Sequence, residues 1–309
     1  MKKMSELDEK LKYETFITPD FVYIPIHASK VAFAPKSYVY DSTLLLIDDN
    51  KGQVYSSCSG TLIGTSHVMT TNGRMNAMVI ENDFLEKKKN SKGTKKQIFK
   101  MKSEEMTTVL KSFNLDYGFN GKETLLIALS YDKNTMLNDR TLLKENVIEL
   151  LEIVDAISSA YDIEKVLFSV QEEDEISYDI LKEYTGTYHN FSYTCTKFNA
   201  TDKEKIAKKL LGKEKDKYVC VTLNDIDSIG RALKSKRLLK NRFVTISGGS
   251  LKKPIVVYAK IGTCIIEILS ALKIKLEKKN IKLIGKCTVE ASANEAVVTR
   301  DLESIVLMK

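Results

Sequence analysis

Five cysteines, three histidines and two glycine-bearing loops are the residues of this chain whose types could carry chemistry. The cysteines, Cys58, Cys195, Cys220, Cys264 and Cys287, each lie more than twenty residues from the next. No C-x-x-C pair occurs, so a zinc site or iron–sulfur cluster lacks the closely spaced thiolates it needs. An odd count without a secretion signal suits a reducing cytoplasm. His27, His67 and His189 are far apart in sequence and offer no helical pair for a metal. Any catalytic triad would have to be assembled in space. No G-x-G-x-x-G or P-loop pattern occurs. Gly248-Gly249 close a strand, and Gly262-Thr263 stand at the mouth of a helix.

The elements that position these residues fall into three kinds. Short β-rich runs at Tyr23–Ile26, Val39–Ile47, Gly60–Thr65 and Ala77–Glu81 are divided by turn chemistry, with Asn72-Gly73 as a hairpin signal. They predict an all-β unit over 13–82. From Ser103 the chain alternates helices and strands. Helices are expected at 103–113, 141–161, 176–184 and 202–211, strands at 124–130, 166–170 and 189–193, and a buried strand leading into a helix from Tyr218. That alternation predicts a largely parallel α/β sheet. From Phe243 onward, short strands surround one helix at 263–272.

With 309 residues, 43% hydrophobic and 29% charged, the chain has room for two or three packed domains. The expected boundaries are 1–86, a lysine-rich linker at 87–102, 103–242 and 243–309. The opening MKKMSELDEK has no apolar stretch and does not read as a signal peptide. The most apolar long segment, 255–272, is interrupted by Lys260 and Glu267, which argues for a buried strand and helix over a membrane span. The net charge of +7 is unevenly spread. Eight lysines between Lys87 and Lys102 have one aromatic, Phe99, among them and read as a solvated insertion, not a nucleic-acid site. The acidic block Glu172–Glu175 reads as a solvated loop.

Several segments together resemble the C subunit of the Rnf electron-transfer complex, a relative of the NADH-binding flavoprotein subunit of complex I. At the N-terminus these are Ile24-Pro25, Ser59-Gly60-Thr61, Gly73-Arg74 and Ala77-Met78-Val79-Ile80-Glu81. At the C-terminus they are Phe243–Ser247 with Gly248-Gly249, Ile261-Gly262-Thr263, Lys282–Gly285 and Ala296–Leu307. The resemblance implies an N-terminal barrel-sandwich (lipoyl-like) β unit, a Rossmann-like α/β domain and a C-terminal β-grasp module of the soluble-ligand-binding type. Where the family continues into its ferredoxin-like cluster domain, this sequence ends.

The resemblance also says where a flavin would sit. The family's Gly-rich phosphate loop corresponds to Leu115–Lys122, which keeps Gly118, Phe119, Gly121 and Lys122 but lacks the double glycine and proline. Its second flavin element corresponds to Ala128–Arg140, where Asn138, Asp139 and Arg140 survive and Asp132 stands near an acidic position. Arg140 could hold a phosphate; a helix-start ion pair with Asp139 or Glu145 is the competing reading. The β-grasp module would offer Gly248, Gly249, Gly262 and Thr263 to a small ligand.

Three functions follow from the resemblance. The first is an accessory protein of an electron-transfer or reductase system, such as those around proline reductase, with an eroded flavin motif and no iron–sulfur cluster, acting as a docking or scaffold subunit. The second is a divergent FMN-binding electron-transfer flavoprotein subunit. The third is a small-ligand sensor built on the β-grasp module. An activity of its own would be that of an NADH- or flavin-linked oxidoreductase component. FMN is the candidate cofactor, with no iron–sulfur cluster and no zinc expected. The expected partners are other protein subunits, not nucleic acid, in the cytoplasm or peripheral to the inner face of the membrane.

Overall fold

The structure, a computed structural model, describes residues 12–26, 34, 36–48, 52–88, 98–197, 203–275, 280–285 and 287–308. His27, Lys89, Lys92, Lys95 and Lys96, and with them most of the expected lysine-rich insertion, lie outside the described residues.

In chain order the first strands are β1 (Tyr13–Phe16), β2 (Phe21–Ile26), β3 (Tyr38–Val39), β4 (Leu44–Asp48), β5 (Gly52–Tyr55), β6 (Gly60–Thr70) and β7 (Gly73–Asn82). Helix α1 (Ser103–Ser112) leads to β8 (Thr124–Ala128), α2 (Asn138–Ala160), β9 (Lys165–Gln171), α3 (Glu175–Tyr184), β10 (Phe191–Thr196), α4 (Lys203–Leu211), β11 (Tyr218–Thr222) and α5 (Leu223–Ser235). The chain closes with β12 (Asn241–Gly248), β13 (Ile255–Lys260), α6 (Ile265–Ala271), β14 (Asn280–Ile284), β15 (Thr288–Ser292) and β16 (Ser304–Leu307). This is a mixed α/β protein. Among the described residues, no helix is long and apolar enough to cross a membrane.

These elements fall into two compact units. The α/β unit takes in Gly93–Lys133 and Leu137–Arg237. Its four strands run in the order β10-β9-β8-β11, all parallel. Strand β8, Thr-Leu-Leu-Ile-Ala, is apolar on both faces because both are covered. Leu126 and Ala128 pack with Ile206 and Ala207 of α4. Helix α2 buries Leu143, Val147, Leu150, Leu151, Val154 and Ile157, the stripe its 3.6-residue period predicts. It starts three residues earlier than its pattern suggests, at Asn138, and is kinked at Asn146.

The β-rich unit takes in Lys12–Lys92, Asn134–Met136 and Leu238–Lys309, so strands β1–β7 and β12–β16 share one unit. A six-stranded sheet has the order β1-β13-β12-β16-β14-β15, with β12 and β16 parallel. Val244, Ile246, Val257, Ile305 and Leu307 pack with Ile265, Ile268 and Leu269 of α6. A four-stranded antiparallel sheet, β2-β7-β6-β3, stands beside the hairpin β4-β5. Its core is Val22, Ile24, Val39, Leu45, Leu62, Met78 and Ile80. The single strand expected over Val39–Ile47 is split into β3 and β4 by a turn in which Ser42 has φ 61°. The β6–β7 hairpin turns on Thr71-Asn72 rather than Asn72-Gly73, because Gly73 pairs with Thr70.

Candidate functional site

Strand order identifies the place where a parallel sheet of this kind binds ligands. From β8 the chain crosses to β9 and β10 on one side, then returns to β11 on the other. The carboxyl ends of β8 and β11 therefore flank the point where the direction of winding reverses, the usual ligand position in open α/β sheets. Helices α2 and α5 follow these two strands, so their amino ends, with unpaired N–H groups, lie on the same side.

Three carboxylates from the first turns of helices occupy this edge. Asp139, the second residue of α2, is 1% exposed. One of its oxygens accepts the Ser130 N–H at 2.7 Å. The other accepts Asn224 Nδ2 at 2.7 Å and Asn138 Nδ2 at 3.4 Å. Asp174 caps α3, accepting the Ser177 N–H at 3.3 Å and Ser177 Oγ at 2.6 Å. It also takes Arg140 Nε at 2.7 Å, while the guanidinium lies 4.1 Å from the Tyr131 ring. Asp225 forms a capping box with Thr222 at the start of α5. Its second and first oxygens accept Lys203 Nζ at 2.7 Å and the Tyr117 hydroxyl at 2.8 Å. Burial alone would raise the Asp225 pKa, but Lys203, the Thr222 N–H and Tyr117 outweigh it and hold the carboxyl below its ordinary value.

All six carboxylate oxygens therefore already accept a hydrogen bond from the protein. Chemically the arrangement is a set of clamps that tie helix starts to strand ends. A carboxylate at a helix amino end is favoured by the helix dipole and uses N–H donors that an anionic ligand would otherwise meet.

Of the residues singled out by sequence, Asn138, Asp139 and Arg140 are at this edge, and half-buried Asp132 lies in the loop leading there from β8. Arg140 pairs with Asp174, a partner no local pattern indicates. Asp174 is buried, so the acidic block is not merely solvated. Gly118, Phe119, Gly121 and Lys122 belong to the loop before β8. The Gly118 N–H is taken by Asp116 Oδ1 at 3.0 Å, and Phe119 is buried against the Tyr117 and Tyr161 rings. Lys122 donates to the Asp216 carbonyl at 2.9 Å, ahead of β11 and so at the amino ends of the strands. Strand β8 separates that end from the carboxyl edge by about 13 Å at the usual rise per residue. Tyr117, Ser130, Asp174, Lys203, Asn224 and Asp225 complete the network; only the Thr222–Asp225 spacing was a readable signal.

The other candidate residues lie in the β-rich unit. Strands β12 and β13 pair from Asn241↔Lys260 to Ile246↔Ile255. Gly248 closes β12 and Gly249 enters the turn of this hairpin, whereas Gly262-Thr263 lie beyond its open end. Both ends are close-packed. A Cβ on Gly248 would come within 2.6 Å of the Leu307 carbonyl oxygen, and one on Gly262 within 2.6 Å of Val22 Cγ1. Thr263 is buried, and its hydroxyl donates to the Lys260 carbonyl at 2.7 Å.

Among the described residues, no group of three or more His, Cys, Asp or Glu is placed to hold a metal ion. His67 lies within β6, not in a turn, and is exposed. Cys58 is buried, which pushes its thiol up to about 12 despite nearby Lys260, and burial pushes Cys220 up to about 11.

No protein-family model matches this chain, and no curated protein matches it. Its fold does match solved structures. A chain of NAD+-reducing [NiFe]-hydrogenase in the H2-reduced state aligns with a TM-score of 0.50 at 9% identity, covering 71% of this chain and 49% of that one. A chain of the same enzyme in the air-oxidized state aligns at 0.46 and 9% identity, over 62% of this chain and 41% of that one. This chain thus matches about half the length of the hydrogenase chain, and the likeness is one of fold.

Proposed function

We propose that this chain is an Rnf C-like accessory protein of an electron-transfer or reductase system, acting as a docking or scaffold subunit with its ancestral flavin site closed. The observation that carries the reading is the Asp139 carboxylate, held between the Ser130 N–H and Asn224 where a cofactor phosphate would be sought. A phosphate brought there would meet buried negative charge and donors already engaged, so the residues present do not fit FMN.

Topology supports the domain assignment within this proposal. The α/β unit has the order third, second, first, fourth strand, as in a Rossmann-like half. Strands β12–β16 have the order second, first, fifth, third, fourth, with first and fifth parallel and one helix across them, as expected for a β-grasp module. The β2-β7-β6-β3 sheet with its β4-β5 hairpin is the proposed barrel-sandwich unit. The fold likeness to a chain of an NAD+-reducing hydrogenase fits an electron-transfer setting. Free cysteines fit a cytoplasmic one.

The test is native, anaerobic isolation of the tagged chain from the cells that make it, with quantitative mass spectrometry of what accompanies it. Stoichiometric recovery with subunits that carry flavin or iron–sulfur centres is the expected result. Recovery alone, or with flavin bound to this chain, would sink the proposal.

A further inference from the structure

The loop after β7 holds two apolar side chains out in solvent by means of an unfavourable backbone. Phe84 and Glu86 have φ of 58° and 47°, the left-handed region that residues with a Cβ avoid. Phe84 and Leu85 are nevertheless 55% and 60% exposed. Their burial does not compensate for the strain; the backbone does. The Phe84 N–H donates to Asn82 Oδ1 at 3.1 Å, the Leu85 N–H to Asp83 Oδ1 at 3.0 Å and the Lys87 N–H to Ser59 Oγ at 2.8 Å. The tip is thus fixed in its outward position.

Its surroundings are aromatic and basic. Tyr38 and Tyr40 are 40% and 39% exposed, with ring centroids 5.1 Å apart. Tyr38 donates to Asp83, and Lys87 Nζ lies 5.6 Å from the Tyr38 ring, so the rings and the tip belong to one patch. The nearby carboxylates are engaged in hydrogen bonds or ion pairs. Asp83 accepts Tyr38 and Ser59, Glu86 pairs with buried Lys260 at 3.4 Å, and buried Asp41 pairs with Lys240. Glu81 remains exposed on β7. Lys87 and Lys88 are exposed, within electrostatic reach of Asp83 and Glu86 respectively.

We infer that this patch docks on an anionic lipid surface. A protruding two-residue apolar tip suits the acyl boundary of a bilayer better than it suits a peptide, which needs a groove. Tyrosine rings favour the headgroup level, and exposed lysines complement anionic headgroups. The inference does not depend on the proposed closing of the flavin site.

The chain has no tryptophan, so F84W introduces a single reporter at the tip. Mixed phosphatidylglycerol–phosphatidylcholine vesicles should shift its emission to the blue, and pure phosphatidylcholine vesicles should do so far less. In flotation assays of the otherwise native chain, K87Q/K88Q should weaken binding to the mixed vesicles about 5-fold per lysine at low salt. F84S/L85S should abolish flotation while leaving the melting temperature of this exposed loop unchanged. No blue shift and no flotation at low salt would overturn the inference. So would equal flotation of F84S/L85S, or binding of the patch to protein partners with none to vesicles.

Discussion

Asn224 Nδ2 donates to Asp139 Oδ1 at 2.7 Å, joining the first turn of α5 to the first turn of α2. Both residues are buried. Since α2 follows β8 and α5 follows β11, this one bond spans the two strand ends where the sheet changes direction. The Asp139 side chain also accepts the Ser130 N–H, so the turn leaving β8 is held by the same group.

Removing that carboxylate takes the acceptor from three buried donors. Asp139→Ala should destabilise the protein by about 2–4 kcal/mol, and Asn224→Ala by about 1–2 kcal/mol. Urea unfolding of both single variants and the double variant checks this. Because they share a hydrogen bond, the double variant should lose less than the sum. Additive losses would show that the two residues act independently.

Acid should expose the Asp225 clamp. Its folded pKa lies below its ordinary value, so its contribution is complete above the unfolded value of 3.8 and is lost as pH falls through the folded value. Asp225→Asn should therefore cost about 1–2 kcal/mol at neutral pH and flatten the fall in stability below about pH 4. Stability measured by denaturant titration between acid and neutral pH decides this. An unchanged acid slope would contradict it.

The cysteines should divide sharply in reactivity. Cys195 and Cys287 are exposed, whereas Cys58 and Cys264 are buried and Cys220 is half-buried with a raised pKa. A thiol reagent near pH 8 should label two of the five quickly and the rest only on unfolding. Rapid labelling of Cys58, whose thiol is raised to about 12, would contradict its placement.

Gly262 should matter to stability. With φ of +95°, and a Cβ falling 2.6 Å from Val22 Cγ1 and 2.9 Å from the Tyr23 carbonyl oxygen, alanine must push β2 away. Thermal melting of Gly262→Ala should show a loss of about 2–4 kcal/mol. A loss of no more than about 1 kcal/mol, the cost of the positive φ alone, would contradict the close approach of Val22 and Tyr23.

The scaffold was legible where one face or both faces of an element are buried. The apolar run of β8 and the stripe of α2 announce themselves because burial repeats at the period of the backbone. The clamps were much less so. Arg140 and Asp174 are 34 positions apart, and Lys203 and Asp225 are 22 apart, joined only after the sheet has formed. Asp174 was hidden among acidic neighbours that look solvated. Likewise, Lys122 and Asp139 stand close in sequence, but β8 carries the chain from one edge of the sheet to the other between them. Motif likeness contains no record of that direction.

The most direct test of the proposal that the flavin site is closed is titration of the purified apo-protein with FMN, followed by flavin fluorescence. With Asp139 holding the Ser130 N–H and Asn224, the account predicts no saturable quenching through the micromolar range. Saturable quenching with a submicromolar Kd would contradict it and establish a working flavin site.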